Sequence, residues 1–187
     1  MSKQLHENIV LYDKKFAPFI PYSEIKERVA ALANRMRKEY EGNNNLVFLV
    51  VLNGAFMFAA ELLGELDVNG VVSFIKLSSY RGNSTTGVVD DVLGLDCNIE
   101  GRTVVIIEDI VDTGITMQHL LDSLKKKHPA RVDIATMFFK PESFRGNYEV
   151  KFVAMELPKE FIVGFGLDYD GLGRNYKDIY KLVNERG

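Results

Sequence analysis

Cysteine is almost absent from this sequence, since Cys97 is the only one in 187 residues. A single cysteine cannot form a disulfide within the chain, which excludes the class of small extracellular domains stabilised by disulfides. Residues 1–16 also lack the apolar core of a secretory signal. Together these absences predict a protein of a reducing, cytoplasmic compartment.

Long hydrophobic runs and an excess of positive charge are missing too. The longest apolar run, residues 46–52, is far shorter than the ~20 residues that a membrane-spanning helix requires. The 23 basic side chains are outnumbered by 26 acidic ones, and a protein that coats nucleic acid needs a clustered positive surface. We therefore expect neither a membrane nor a nucleic acid as partner, whereas a small anionic ligand is compatible with this charge.

The composition is that of an ordinary globular protein, and the length predicts a single domain over residues 1–187. Periodicity predicts helices that alternate with strands, several of them apolar throughout, which favours a doubly wound α/β fold with a parallel sheet. The predicted helices span 24–40, with Ser23 as N-cap, 55–66 and 115–127, and the predicted strands span 46–52, 71–77, 103–107, 131–139, 151–155 and 161–167.

Residues 78–94 interrupt this pattern with a polar, glycine-bearing stretch. It is too long and too little patterned for an ordinary connection. Long structureless loops in compact domains are usually functional lids or disordered segments. We expect a mobile loop that closes over a site.

The segment 104–116, VVIIEDIVDTGIT, contains the most informative motif. Thr113 and Gly114 precede a predicted helix, whose free N–H groups and dipole attract a phosphate. Gly114 lets the backbone approach the ligand closely, and the hydroxyls of Thr113 and Thr116 add donors. The pattern predicts a phosphate cradle at the carboxyl end of a strand, where open α/β sheets bind their ligands.

Two adjacent acids, Glu108 and Asp109, precede this cradle. As acceptors they suit the vicinal hydroxyls of a ribose, directly or through a bound divalent cation. The alternative is that these acids are merely helix-start residues and that Thr113-Gly114 is an ordinary turn. That alternative would be preferred for an isolated Asp-Thr-Gly, but the length of the whole string favours a ligand site.

The string resembles the phosphoribosyl-diphosphate signature of the type I phosphoribosyltransferases, in which two acids and then Asp-Thr-Gly-x-Thr follow an apolar strand. Further segments, in matching order over about residues 46–174, narrow the resemblance to the hypoxanthine-guanine phosphoribosyltransferases. These segments are Leu52-Asn53-Gly54, Ser79-Tyr80, Lys140, Phe161-Ile162-Val163-Gly164, Leu167-Asp168-Tyr169 and Arg174. The resemblance implies a twisted parallel sheet flanked by helices, with a core of about 43–155, a small hood from the chain ends (about 1–20 and 156–187) and a mobile loop over 78–94.

The resemblance also implies a role for each matching residue. Lys140 is similar to the lysine that donates to the purine O6, Phe161 to the aromatic that stacks on the base, and Ile162 to the residue whose carbonyl faces C2. Asp112 stands where the family's proposed general base approaches N7. The remaining matches concern the phosphates, the ribose, Mg²⁺ and the long loop. They are Asn53, Gly54 and Arg174 near the pyrophosphate; Thr113, Gly114, Ile115 and Thr116 in the cradle; Glu108 and Asp109 at the ribose or a magnesium ion; Asp168 at a second magnesium ion; and Ser79 and Tyr80 at the start of the loop that closes to exclude water.

The implied reaction moves a 5-phosphoribosyl group from phosphoribosyl diphosphate to N9 of a 6-oxopurine, hypoxanthine and also guanine, giving IMP or GMP and pyrophosphate. A homodimer or homotetramer is implied as well. The alternatives are a regulator that keeps the fold without catalysis, and a pyrimidine or adenine phosphoribosyltransferase. The sequence departs from the family at Asn53 and Ser78, where basic residues are common, and after Lys140, where the nearest arginine is Arg145 and has no assigned role.

Overall fold

The computed structural model describes residues 7–77 and 95–183. No helix within these two ranges is both long enough and apolar enough to cross a membrane. The elements, in chain order, are β1 (Ile9–Leu11), β2 (Lys14–Ile20), α1 (Tyr22–Tyr40), β3 (Leu46–Leu52), α2 (Phe56–Leu66), β4 (Val71–Lys76), β5 (Thr103–Val111), α3 (Ile115–Lys125), β6 (Arg131–Phe139), β7 (Phe152–Glu156), β8 (Ile162–Val163) and β9 (Ile179–Leu182).

The larger sheet is parallel, with strand order β4-β3-β5-β6-β7. Side chains alternate along β3, so that Phe48 and Val50 join the core formed with α1 and α2, whereas Leu49 and Val51 join the core formed with α3. Both faces are therefore covered, which explains why β3 is apolar at every position. All five carboxyl ends point to one edge of the sheet, and the predicted α/β fold is confirmed.

The second sheet is antiparallel and is built from both ends of the chain, in the order β1-β2-β9-β8. Phe16 of β2, Val163 of β8 and Tyr180 of β9 are buried in its small core. This sheet is the hood that the family resemblance implied. The predicted bounds of core and hood stay a prediction, and the predicted mobile loop 78–94, with Ser79 and Tyr80, lies outside the described residues.

The prediction that Ser23 caps α1 is wrong. The helix begins two residues earlier than predicted, at Tyr22, with Pro21 as the N-cap. The backbone N–H of Tyr22 donates to Asp178 Oδ1 at 2.7 Å. An acid that is distant in sequence therefore provides the favourable negative charge at the helix start, and local sequence patterns carry no signal for such a contact.

Strand β5 is longer than predicted and ends at Val111 rather than at residue 107. Pairing with β6 continues to Val111 and Phe139, so the two acids lie within the strand instead of after it. The predicted strand 161–167 shrinks to β8, because the backbone turns through positive φ from Gly164 to Gly166. Helix α3 ends at Lys125, two residues before the predicted end, and the bounds of α2, β4 and β7 shift by one residue.

A buried tyrosine, Tyr40, lies in a charged cluster near the amino ends of the parallel strands. Tyr40 Oη donates to Asp133 Oδ2 at 2.7 Å, and burial together with this bond raises the pKa of Tyr40. Arg131 pairs with Asp133 at 2.8 Å and with Glu39 at 2.6 Å, and Lys151 also contacts Glu39 at 2.6 Å. This cluster stabilises the edge opposite to the carboxyl ends of the strands.

Replacing Tyr40 by phenylalanine should lower the free energy of unfolding by about 1 kcal/mol. Removing the hydroxyl leaves the buried carboxylate of Asp133 with one hydrogen-bond donor fewer. Urea denaturation measures this loss. Tyr12→Phe is the matched control, since Tyr12 is exposed and its hydroxyl makes only a 3.4 Å contact with the Asp170 carbonyl. An equal denaturation midpoint in wild type and Tyr40→Phe would contradict the stabilising role.

Candidate functional site

A cavity of about 240 Å³ opens at the carboxyl edge of the parallel sheet, beside β5 and the turn into α3. Most residues of the second half of the segment 104–116 line this one cavity, where a ligand can reach them. The lining residues are Val51, Leu77, Glu108, Ile110, Val111, Asp112, Thr113, Gly114, Thr116 and Met117.

The turn between β5 and α3, residues 112–116, is here named the phosphate loop. Gly114 is the N-cap of α3 and lies in the left-handed region with φ +82°, and the Ile115 N–H makes only a long contact of 3.5 Å with Thr113 Oγ1. The first N–H groups of a helix have no intrahelical acceptor, and Thr113, Ile115 and Thr116 are exposed beside them. A Cβ on Gly114 would lie 2.6 Å from Phe144, so glycine is required for space as well as for φ. The loop is built to receive an anion.

Asp109 of the acid pair is buried, and Glu108 is partly buried at the wall of the cavity. Burial raises the pKa of both carboxyls, and the negative charge of Asp109 raises that of Glu108 further. The Ile110 N–H donates to Asp109 Oδ1 at 2.8 Å, and this bond together with the Arg174 charge opposes the rise for Asp109. Hydroxyl donors or a cation bound to the pair would favour its ionised form.

The turn after β3 lies against this acid pair. A Cβ on Gly54 would fall 1.5 Å from Asp109 Oδ2, and a Cβ on Gly166 would fall 1.9 Å from the Gly54 carbonyl oxygen. Asn53 is exposed and follows a cis Leu52–Asn53 peptide. The structure therefore places Gly54 directly against Asp109, with no room for a side chain at position 54.

Lys140 and Asp112 form an ion pair. Lys140 directly follows β6, its residue is 7% exposed, and its Nζ lies 2.9 Å from Asp112 Oδ2. A buried ammonium needs a counter-charge, and Asp112 supplies it from the phosphate loop. The two residues that the sequence analysis placed at O6 and N7 of a base are thus brought together.

Phe161 presents an aromatic surface to solvent, since 46% of the residue is exposed. Its ring contacts Phe16 with centroids 6.2 Å apart and Tyr169 edge-on at 6.0 Å. Ile162 follows within β8 and is buried opposite Lys181 of β9. The hood therefore fixes the Phe161 ring on one side and leaves part of it free, as stacking on a planar ligand requires.

Arg174 and Asp168 are also paired, at 2.5 Å between Nη2 and Oδ1. Arg174 Nη1 donates to the Gly166 carbonyl at 2.7 Å, and the Gly171 N–H donates to Asp168 Oδ2 at 2.7 Å. Burial raises the pKa of Asp109, and the positive charge of Arg174 opposes part of that rise, so the guanidinium acts electrostatically on the acid pair. The structure thus links two residues to which the sequence analysis gave separate roles.

The predicted magnesium ligands are Glu108, Asp109 and Asp168. Among residues 7–77 and 95–183 there is no group of three or more His, Cys, Asp or Glu side chains arranged to hold a metal ion. Mg²⁺ commonly uses one or two carboxylates and completes its shell with waters and substrate phosphates, so adjacent Glu108 and Asp109 fit that type of site. Asp168 already uses one oxygen for Arg174 and the other for Gly171.

Three residues of this region, Phe16, Phe144 and Tyr148, were missed by the sequence analysis, and Tyr169 was named there only within a matching segment, without a role. Phe16 and Tyr169 flank Phe161, while Phe144 and Tyr148 pack behind the phosphate loop, where Tyr148 Oη donates to the Gly114 carbonyl at 2.9 Å. The only available signal was two aromatics spaced four residues apart in a polar connection. That spacing alone indicates no role.

Comparison with known proteins identifies related chains. Residues 21–170 match the family described as "Phosphoribosyl transferase domain". A hypoxanthine-guanine phosphoribosyltransferase of Streptococcus thermophilus is 42% identical over 163 residues, covering 87% of this chain and 90% of that protein. One from Aquifex aeolicus is 35% identical over 170 residues, covering 90% and 96%. A mutant hypoxanthine phosphoribosyltransferase from Trypanosoma cruzi, solved as a ternary substrates complex, is 34% identical with a TM-score of 0.82, covering 90% of this chain and 95% of its own.

Gly54→Ala should displace the Asp109 carboxylate, because the new methyl would occupy the position of Oδ2. Loss of a hydrogen bond to a charged group costs about 1.5–3 kcal/mol, so we expect phosphoribosyl diphosphate to bind with Mg²⁺ about 10- to 100-fold more weakly by calorimetry. Gly64→Ala is the control, since Gly64 lies in α2 with open space around it. Unchanged affinity in Gly54→Ala would contradict the proposed contact between this turn and the ligand.

Proposed function

The chain belongs to the phosphoribosyltransferase family, and on that premise we propose that it moves a 5-phosphoribosyl group from phosphoribosyl diphosphate to N9 of a 6-oxopurine. Hypoxanthine and guanine are the bases, IMP or GMP the nucleotide product, and pyrophosphate the leaving group. One observation supports this proposal most: the phosphate loop and Glu108 line one cavity with Asp112, and Asp112 is paired with the buried Lys140.

The phosphate loop binds the 5′-phosphate in this proposal. The N–H groups at the start of α3 and the hydroxyls of Thr113 and Thr116 donate to its oxygens. Glu108 and Asp109 accept from the two ribose hydroxyls. Phosphate and sugar then lie side by side along one turn of the chain, which matches the short connection between C5 and the ring of the sugar.

The base site combines one cation, one acid and one ring. Lys140 donates to O6, and an ammonium donor discriminates against a 6-amino group, which is itself a donor. Asp112 accepts or shares the N7 proton as N9 bonds to C1. Phe161 stacks on the base, a contact that contributes roughly 1–3 kcal/mol at comparable nucleobase sites, and the Ile162 carbonyl faces C2.

The pyrophosphate lies between Arg174 and the turn at Asn53 and Gly54. Arg174 offers its guanidinium to the departing charge, and the turn offers backbone groups that can approach closely because Gly54 has no side chain. Glu108 or Asp109, and in part Asp168, would hold Mg²⁺, which would supply positive charge to the departing pyrophosphate. The protein groups orient the sugar so that its oxocarbenium-like state meets the base.

We further propose that the protein is a cytoplasmic homodimer or homotetramer whose ligands are small molecules rather than nucleic acids or membranes. Three apolar side chains of the edge strand β4, those of Val71, Val72 and Phe74, are more than 40% exposed and fit a contact between copies. Sedimentation as a monomer at micromolar concentration would contradict the oligomer.

A regulator with the same fold was the alternative from another functional class. The related proteins reported above are all named as transferases, which does not support it. The basic donor at position 140 also argues against an adenine-specific transferase, because the 6-amino group of adenine offers no acceptor oxygen.

The direct test is release of pyrophosphate from phosphoribosyl diphosphate and Mg²⁺ in the presence of one nucleobase at a time. The proposal expects release with hypoxanthine and guanine and none with adenine, uracil or orotate. The rate with xanthine then shows how this third 6-oxopurine compares with the other two. Binding of phosphoribosyl diphosphate without release for any base would favour the regulator.

Lys140→Ala should raise the KM for hypoxanthine about 10- to 100-fold, since a hydrogen bond to a charged donor is lost. The affinity for phosphoribosyl diphosphate should change less than about twofold, because the phosphate loop is intact. Initial-rate kinetics and calorimetry measure the two quantities, and Lys126→Ala, on the exposed end of α3, is the control. Equal losses for both substrates would refute the O6 contact.

Asp112→Asn keeps the shape of the side chain but removes the proton acceptor. The expected result is a fall in kcat of about 100-fold, the lower range for loss of a general base. Rapid-quench or steady-state assays with hypoxanthine measure it, and a cooperative thermal unfolding transition shows that the variant is folded. Unaltered turnover would mean that Asp112 is not the base.

A further inference from the structure

The phosphate loop is anchored from behind by residues 144–148, which have no role in the function proposed above. The Gly114 carbonyl accepts two hydrogen bonds, one from Tyr148 Oη at 2.9 Å and one from the Gln118 N–H at 3.0 Å. The Thr113 carbonyl accepts the Arg145 N–H at 3.0 Å. Two consecutive carbonyls of the loop are therefore held by groups outside it.

These bonds fix the direction of the donors on the other side of the same peptides. In a planar trans peptide the carbonyl and the N–H point in opposite directions. Holding the Thr113 and Gly114 carbonyls toward residues 144–148 and α3 therefore turns the N–H groups of Gly114 and Ile115 away from them. Because glycine has no Cβ, the two peptides that flank Gly114 rotate more freely than those around other residues, and the anchors hold them at φ +82°.

Packing fixes Tyr148 where it can donate. Its ring meets Phe144 edge-to-face at 5.2 Å, and Phe144 meets Phe139 at 5.2 Å. A Cβ on Gly114 would lie 2.7 Å from Tyr148 Oη, so the hydroxyl reaches the loop only because the residue there is glycine. Burial, together with the charge of Glu108, raises the pKa of Tyr148 to about 12, so its hydroxyl keeps the proton that it donates.

We propose that Tyr148 is a positioning residue for the 5′-phosphate, which orients the Ile115 N–H by holding the Gly114 carbonyl. The inference rests on the placement of that phosphate on the phosphate loop in the proposed function. The same segment begins at the base site, because the N–H groups of Ser143 and Phe144 donate to the Lys140 carbonyl at 3.1 Å. One stretch of chain thus supports both the base donor and the phosphate donors.

Tyr148→Phe tests the proposal, because it removes the hydroxyl and keeps the ring. The KM for phosphoribosyl diphosphate should rise about three- to tenfold, the effect of one lost hydrogen bond, while the KM for hypoxanthine stays within about twofold. At equilibrium the affinity for IMP should fall by the same factor and that for inosine, which has no phosphate, should not. A merely structural role would weaken nucleotide and nucleoside alike.

Tyr40→Phe is the matched control, since it also removes a tyrosine hydroxyl bond, at the opposite edge of the sheet. It should lower the melting temperature without changing either KM. Tyr148→Phe with unchanged KM for phosphoribosyl diphosphate, or with equal losses for IMP and inosine, would overturn the proposal.

Thr116→Val distinguishes a failure of the positioning role of Tyr148 from a failure of the proposed function. If the phosphate loop binds the 5′-phosphate but Tyr148 does not position it, Thr116→Val raises the KM for phosphoribosyl diphosphate and Tyr148→Phe does not. If neither variant changes that KM, the placement of the phosphate is wrong, and the inference falls with it. Parallel increases in both variants support the two together.

Discussion

Close approach of three backbone turns at the carboxyl edge of the parallel sheet is the constraint on which the site depends. The turn after β3 meets the acid pair at Gly54, the turn after β5 meets the Phe144 ring at Gly114, and the hood meets the first turn at Gly166. In each case a methyl group would overlap atoms that are themselves fixed. Small residues at these contacts let acids, amides and cations from distant parts of the chain share one cavity.

The charges of the site are paired before any ligand arrives. Lys140 is bound by Asp112, and Arg174 is bound by Asp168, while Glu108 and Asp109 resist simultaneous ionisation because Asp109 is buried and Glu108 is partly buried. A ligand group that binds one of these side chains therefore replaces its existing ion-pair partner, and no unpaired charge is present beforehand in these pairs. Such pre-formed pairs limit the desolvation that binding requires, and they hold each side chain near its proposed place of action.

The sequence predicted best those features that depend on local pattern. Strands 46–52 and 131–139 have their predicted bounds because a buried apolar run ends where the polar edge begins. The phosphate loop followed from a dense motif. Strand β5 ran past its prediction because pairing with β6 overrides the weak strand preference of Glu108 and Asp109.

The features that escaped prediction all depend on contacts across the chain. Asp178 replaced Ser23 at the start of α1 through a bond that spans 156 positions. Tyr148 reaches Gly114 only because a polar connection folds back on the loop, and no spacing rule encodes that direction. The pairing of Lys140 with Asp112, and of Arg174 with Asp168, became visible only in three dimensions.

The ion pair between Lys140 and Asp112 has a consequence for the response to salt. A purine base is neutral, and it meets a pair whose own charges cancel at 2.9 Å. Phosphoribosyl diphosphate instead brings several negative charges to exposed helix donors and to Arg174, where mobile ions screen attraction over a Debye length of about 8 Å at physiological ionic strength. Raising the ionic strength should therefore weaken capture of the charged substrate while leaving recognition of the base almost unaltered.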